Sequence, residues 1–390
     1  MRLYYTDSYL TSFTSRVTEL GDDGRRVYLE ESAFYPTSGG QPHDTGELGG
    51  EAVVDVVDEG ERVAHILASP LRAPVGAEVV GRIDWARRWD HMQQHTGQHL
   101  LSALFAEAHG LATVSVHFGS DASTLDLRGA LTLERSVVVA VERRANEIVG
   151  EARAVTVSFE SAQEATGLRK ASERSGELRV VAIEGLDRSA CGGTHVRSTA
   201  EIGPILLRGW EKIRGDVRVE FLCGDRALAR AREDYEALAR AAQLFSAPLD
   251  EVPALVEGQR EQLKALQSAA RRSEQELATY RARELWQQAT PDASGLRRIV
   301  QRRATGAVDE LRALAQALAT LSRVILVVAV DDPATVLLAT SEDSGIDAGS
   351  TLRQALSSAG GRGGGSPRLG QGSVPGRDAL ERVLKDLGAA

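Results

Sequence analysis

Lysine, cysteine and long apolar runs are what this chain has least of. Of its 46 lysines and arginines only Lys170, Lys212, Lys264 and Lys385 are lysine. Arginine's planar fork suits bidentate phosphate contacts, although genomic composition produces the same bias. Two cysteines, Cys191 and Cys223, allow a single disulfide at most. In a cytosolic chain a cysteine near histidines is more often a ligand than a bridge. No stretch approaches the roughly 20 uninterrupted apolar residues of a membrane helix, so no membrane partner is expected. The N-terminus, MRLYYTDSYL, has no basic segment leading into an apolar run. Secretion is therefore not expected, and the cytoplasm is the expected compartment.

What is present fits a folded protein of several parts. The 390 residues leave room for two to four domains at roughly 100–200 residues each. Apolar residues at 42% and charged residues at 26% are ordinary for a globular chain. The formal net charge of −9 argues against nucleic-acid binding only for the chain as a whole, since binding depends on local patches. Arginines do cluster, at Arg82, Arg87 and Arg88, at Arg143 and Arg144, and at Arg297, Arg298, Arg302 and Arg303. The charge evidence is neutral.

Periodicity divides the chain further, into an α+β protein of four parts. Residues 1–90 read as short strands, with Arg26–Glu30 and Val53–Val57 rich in β-formers and glycine pairs at 39–40 and 49–50. A small β-barrel carrying a glycine motif is expected there. Residues 91–224 read as mixed α and β. A helix is expected over Asp90–Glu107, a strand pair over 111–127, a helix over Leu133–Val149, and strands at Ala154–Phe159, Leu178–Ile183 and Val217–Cys223. Residues 225–290 read as a helical linker broken near Pro248 and Pro253. Within it Val256, Leu263, Ala270 and Leu277 fall seven apart, with Leu266 and Tyr280 on the adjoining seam, resembling a short coiled coil. Residues 291–390 read as an α/β domain: a helix over Val308–Leu321, a buried strand Val324–Val330, a second near Val336–Thr340, then a glycine-rich run and a final helix.

Two short segments carry the chemistry. In Asp90-HMQQHTGQHLL, His95 and His99 are one turn apart on one face of the expected helix and can aim both rings at one ion; His91, a turn further back, joins only at a stretch. In Cys191-Gly-Gly-Thr-His195 two glycines let a turn fold back so that a thiolate and an imidazole converge. Three nitrogens and one sulfur suit zinc. His43, His65, His109 and His117 are isolated and read as surface or satisfied core histidines.

HTGQHLL followed by CGGTH resembles the editing domain of alanyl-tRNA synthetases and their freestanding AlaX relatives. The resemblance continues upstream in Ala33-FYPTSGGQPHDTG and Val114-SVHFG, and downstream in Ile202-GPILLRGWEKIRGDVRVEF. Gly360-GRGGGSPRLGQG resembles the glycine-rich segment of the DHH-associated domain that ends those synthetases. Editing domains of threonyl-tRNA synthetases share the histidine–cysteine pattern without that tail. Ser32 stands where the family has Thr, and Leu369-Gly-Gln-Gly where it tends to have Ala-Gln-Gly.

The resemblance implies a zinc editing domain at 91–224 and a DHH-associated-like domain at 291–390. It implies one zinc ion per chain on His95, His99, Cys191 and His195, and ATP-independent hydrolysis of the ester joining serine, or glycine, to alanine tRNA. With no aminoacylation domain ahead of residue 1, charging of tRNA is not expected. Gln41 is the candidate for reading the serine hydroxyl or the water, and Ser32 is the second candidate catalytic group; a bare turn that exposes Gln41 is the alternative. Zinc has two roles open to it, activating water or orienting the substrate. The glycine run reads either as a flexible linker or as a phosphate cradle in which Arg362, Gly363, Gly364 and Arg368 meet tRNA. The linker reads as a spacer or, like the C-terminal domain, as a homodimer contact. Two other readings stand beside the enzyme: a tRNA-binding module with structural zinc, and editing of serine on threonine tRNA.

Overall fold

Six short strands open the chain: β1 (Ser12–Gly21), β2 (Arg26–Leu29), β3 (Gly46–Leu48), β4 (Glu51–Asp58), β5 (Val63–Leu67) and β6 (Glu78–Ile83). Buried and exposed residues alternate along β1 and β6, so one face of each strand is apolar and must be covered. The strands cover it by closing on themselves in the order β1-β2-β5-β4-β3-β6 around Val17, Val27, Phe34, Leu48, Val56 and Leu67. The expected barrel is therefore present, and closure leaves it no open edge.

The computed structural model describes residues 1–129, 133–171 and 176–389, which divide into two units, Met1–Ala241 and Ala242 onward. The rest of the first unit is built around α1 (Trp85–His109), which Asp84 caps by accepting a hydrogen bond from the Arg87 amide. This helix begins five residues earlier than the periodicity indicated, because Asp84, a good cap, lies ahead of the apolar stripe. Gly110, in the left-handed conformation at φ 66°, ends it. From His91 to Phe105 every residue of α1 is buried, polar ones included. Around it lie β7 (Ala112–Phe118), β8 (Ser123–Arg128), α2 (Arg135–Gly150), β9 (Val155–Ser161), β10 (Glu177–Ile183), β11 (Asp187–Ala190), β12 (Ile205–Ile213) and β13 (Asp216–Cys223). They form a three-stranded sheet β11-β10-β9 and a four-stranded sheet β12-β13-β8-β7. Gly97 lets α1 lie close: a Cβ there would stand 2.2 Å from the Cys223 sulfur.

Beyond α3 (Gly224–Phe245) the second unit contains α4 (Val252–Gln288), β14 (Arg297–Thr305), α5 (Arg312–Ala319), β15 (Val324–Asp332), β16 (Thr335–Thr340), α6 (Ala348–Ser358), β17 (Arg362–Ser366), β18 (Leu369–Ser373) and α7 (Arg377–Asp386). Its sheet runs β14-β15-β16-β18-β17, with only the β14–β15 pair parallel. β15 is apolar on both faces because helices cover both. Ile325, Val327 and Ala329 meet α6 and α7, while Leu326, Val328 and Val330 meet α5 and the end of α4.

One expectation is corrected. The glycine run is neither a linker nor a loop; it is the β17–β18 hairpin, and its glycines make room for α6. A Cβ on Gly363 or Gly372 would fall 2.6 or 2.2 Å from Leu356 Cδ1. Along the expected coiled-coil seam Val256, Leu263, Leu266, Leu277 and Tyr280 are more than half exposed, and the buried residues of α4 are Val252 at its start and Ala278 and Ala282 near its end.

Candidate metal centre and its cleft

α1 brings His95 and His99 to one face, as their spacing of four requires, at 3% and 4% exposure. The turn after β11 brings the other half. The Cys191 amide donates to the Arg179 carbonyl at 3.0 Å, hooking the turn to β10. Gly193 then passes so close to α1 that a Cβ would lie 2.2 Å from the His95 ring. One ligand atom from each of His95, His99, Cys191 and His195 lies within 4.8 Å of the others. The Cys191 sulfur is 3.4 Å from Nε2 of both His95 and His195. A tetrahedral zinc with Zn–S roughly 2.3 Å and Zn–N roughly 2.0–2.1 Å needs a similar edge of roughly 3.6 Å.

The outer nitrogens decide the tautomers. His95 Nδ1 donates to Gln41 Oε1 at 2.8 Å, and the Thr194 amide donates to the same oxygen at 3.2 Å. Gln41 Nε2 donates to Thr194 Oγ1 at 2.8 Å, which fixes the amide's orientation. His99 Nδ1 donates to Asp187 Oδ2 at 3.0 Å. The Thr96 hydroxyl gives its proton to the Met92 carbonyl at 2.8 Å, so it accepts from His195 Nδ1 at 3.1 Å. All three imidazoles thus turn Nε2, with its lone pair, toward the cysteine sulfur. Outer partners of this kind orient ligands and raise their basicity.

The charges fit a cation. Burial alone would raise the Cys191 thiol, but the fields of His95 and His195 and their hydrogen bonds hold it well below the usual thiol value. Burial pulls His99 down, and the Asp187 bond and the nearby Cys191 lift it to about 9. Burial and His95 push His195 down to about 3. Asp187 is resisted by burial yet held low by His99 and Arg169. Arg169 shares the Asp187 carboxylate, and beside the Cys191 thiolate a divalent ion among the inner nitrogens can take the place of the His99 proton. The four residues could hold a metal ion, and three nitrogens with one sulfur suit zinc.

The group lies on the wall of a cleft of about 940 Å³ that also takes in Tyr5, Tyr35 and Gly39 from the barrel side and Phe159, Arg169 and Arg179 from the sheet side. The loop with Tyr35 and Gln41 is pinned to α1 by a buried ion pair, Arg88 with Asp44, both at 0% exposure. Arg88 also donates to the carbonyls of Ser8 at 2.8 Å and Ala33 at 2.6 Å.

Each residue singled out in the sequence has a definite place. Gln41 is fully buried behind His95, so the loop is not a bare exposed turn. Ser32 lies inside the barrel, its hydroxyl 2.7 Å from His65 Nε2 and receiving the Phe34 amide at 3.1 Å. His91 stands outside the ligand group, 4% exposed beside Arg87 and Arg226. Most of the clustered arginines are occupied internally. Arg88 is buried, Arg297 and Arg298 bond carbonyls, Arg302 holds Asp331 and Glu381, and Arg303 holds Glu310. Arg368 is paired with Glu342, while Arg362, Gly363 and Gly364 belong to β17. Sequence reading missed Asp187, Thr96, Thr194 and Arg179. A single carboxylate in the strand just before the CGGTH turn was the available signal for Asp187.

Comparison with known proteins follows the same division. The family described as threonyl and alanyl tRNA synthetase second additional domain matches residues 178–220, and the DHHA1 domain matches residues 298–390. The alanine–tRNA ligase of Pyrococcus abyssi is 31% identical over 404 aligned positions, covering 99% of this chain and 43% of that protein. The ligase of Pyrobaculum neutrophilum is 35% identical, covering 98% of this chain and 44% of that protein. The alanyl-tRNA editing protein Aarsd1-B of Xenopus laevis is 33% identical over 63% of this chain and 60% of that protein. The chain thus spans less than half the length of the ligases it matches. The crystal structure of the C-Ala domain from Aquifex aeolicus alanyl-tRNA synthetase aligns with 24% of the chain at 22% identity and a TM-score of 0.22, too slight a likeness to support an inference.

Proposed function

The chain belongs to the alanyl-tRNA synthetase-related editing family, and from that premise we propose that it hydrolyses the ester of alanine tRNA wrongly charged with serine or glycine. One observation carries the reading. Three imidazoles, each fixed from behind, turn Nε2 toward a thiolate on the wall of an open cleft. A zinc ion held by His95, His99, Cys191 and His195 supplies Lewis acidity there. Gln41 sets the His95 ring, and Ser32, bonded to His65, fixes the segment that leads into the Gln41 loop.

The chemistry explains the need. An apolar pocket rejects an added hydroxyl by only about a hundredfold, so serine escapes a site built for alanine. A second site that bonds the hydroxyl sorts in the opposite sense, because alanine leaves its polar groups unpaired. On this reading Arg362, Gly363, Gly364 and Arg368 of the hairpin contact the tRNA body, and two copies pair along the exposed stripe of α4. Leu263→Glu, followed by sedimentation, tests the pairing.

The deciding experiment is deacylation of alanine tRNA charged separately with serine, glycine and alanine, with zinc quantified in the same sample. One zinc per chain, rapid loss of serine, slower loss of glycine and sparing of alanine are expected. Retained zinc with no ester cleaved would make the protein a binding module, and preference for serine on threonine tRNA would reassign the substrate.

A further inference from the structure

Register places three residues in a row across the sheet β11-β10-β9. Phe159 on β9 is directly opposite Arg179 on β10. The β10–β11 pairing of Val180 with Ala190 continues to Arg179 opposite Cys191, whose amide bonds the Arg179 carbonyl. Residues directly opposite in antiparallel strands share a face, so all three stand on the face that lines the cleft. Two strand spacings, roughly 10 Å, separate Phe159 from Cys191, about the span from a nucleobase to an ester on its ribose.

Phe159 and Arg179 have unspent chemistry. Phe159 is 44% exposed, whereas Tyr4 and Tyr35 of the cleft are buried and Tyr5 is half-buried with Arg2 and Arg179 over its ring. Arg179 is 8% exposed; its Nε donates to the Tyr5 carbonyl at 2.9 Å and its Nη1 to the Cys191 carbonyl at 2.7 Å. Among the described residues its Nη2 has no hydrogen-bond partner, and no carboxylate pairs with it. Elsewhere on the wall Arg2 is neutralised by Asp58 and Arg169 by Asp187. Besides the two carbonyls, the Tyr5 ring, 5.6 Å from its Cζ, and the Cys191 thiolate face this guanidinium, which places its positive charge beside the metal group.

We propose that the row Phe159–Arg179 seats the terminal nucleoside of the aminoacyl-tRNA, the base stacking on Phe159 and the Arg179 guanidinium drawing the phosphate next to it, so that the ester arrives at Cys191 and its histidines. The proposal rests on the editing function given above. It predicts that binding of the tRNA end is separable from hydrolysis.

The test therefore includes an arm that needs no hydrolysis. Binding of the full chain to an uncharged acceptor-stem RNA is measured with the terminal base intact and with an abasic terminal residue. Wild type is expected to prefer the intact end about tenfold, as one stacked base provides. Phe159→Ala abolishes that preference and raises KM for deacylation by a similar factor with kcat unchanged, and Phe159→Tyr restores both. Arg179→Gln lowers the salt slope of binding by about 0.7, one single-strand phosphate contact. Zinc stoichiometry in each variant reports that the Cys191 turn is intact. A Phe159→Ala protein that still prefers the intact end, or an unchanged salt slope in Arg179→Gln, overturns the corresponding half of the proposal. If wild type cleaves no ester yet shows the tenfold preference, the editing function fails and the nucleoside seat stands.

Discussion

His65 in the barrel and His99 in the cleft are sealed from water at 0% and 4% exposure, and each is bonded from Nδ1 to an oxygen. Their titrations diverge. Burial pushes His65 down to about 4, opposed only by the Val27 carbonyl. His99 is subject to the same burial, but Asp187 and Cys191 carry it up to about 9. The difference lies in what stands behind the ring. A carbonyl and the Ser32 hydroxyl satisfy a neutral imidazole and make it part of the scaffold. A carboxylate behind the ring prepares it to face a positive charge. Within one unit, then, the partner rather than the histidine separates framework from chemistry.

The contrast can be broken at several points. Cys191→Ala removes the thiolate on which the histidines converge. Metal charge stabilisation is worth several kcal/mol, so loss of deacylation by about a thousandfold is expected together with loss of zinc. Activity that survives with zinc absent would detach the cluster from the reaction. Asp187→Asn keeps the shape but removes the charge behind His99; zinc affinity should fall by about 10–100-fold in a chelator competition. If affinity holds, the carboxylate is a packing group like Ser32. Ser32→Ala should do the reverse. It costs about 1–2 kcal/mol in denaturant unfolding, by stranding His65 Nε2 and the Phe34 amide, and leaves zinc stoichiometry at one. Zinc loss in that variant would mean that the barrel site and the metal site are one network.

The smallest effect is in pH. His65 is depressed in the folded state, so below the ordinary value of 6.5 the unfolded chain holds the extra proton. Its contribution is intact above 6.5 and erodes as pH falls toward about 4. Comparing the zinc-loaded wild type with His65→Gln by denaturant unfolding across that window should show a steeper loss in wild type, by up to one proton. Equal slopes would place the acid sensitivity elsewhere.

The cluster of His95, His99, Cys191 and His195 was legible because each half obeys a local rule: two histidines one turn apart on a helix, and a cysteine and histidine bracketing a glycine turn. The barrel was legible from strand alternation, and β15 from an unbroken apolar run. What lies behind those residues was not. Asp187 meets His99 across 88 residues and Gln41 meets His95 across 54, and no periodicity reports such pairings. Arg88 read as a member of a basic cluster until its carboxylate, Asp44, was placed 44 residues away. β14 was missed because its residues, Arg297–Thr305, are mostly polar on a strand at the edge of the sheet. β17 was missed because glycine is depleted in strands, and here it is selected by the approach of α6.

That hairpin also changes how the chain can be interrogated. Along β17 and β18 the strands show peptide planes where most proteins show side chains, with a Cβ on Gly365 or Gly370 reaching 2.1 or 2.9 Å from a carbonyl oxygen. An alanine scan, which elsewhere subtracts contacts, becomes here a scan by insertion. A substitution at Gly363, Gly365, Gly370 or Gly372 adds a methyl where none fits, and a damaged variant reports the closeness of α6 or of the opposite strand rather than a lost interaction. Changes at the residues that carry polar side chains there, Arg362, Ser366, Arg368, Gln371 and Ser373, can still be read in the usual direction.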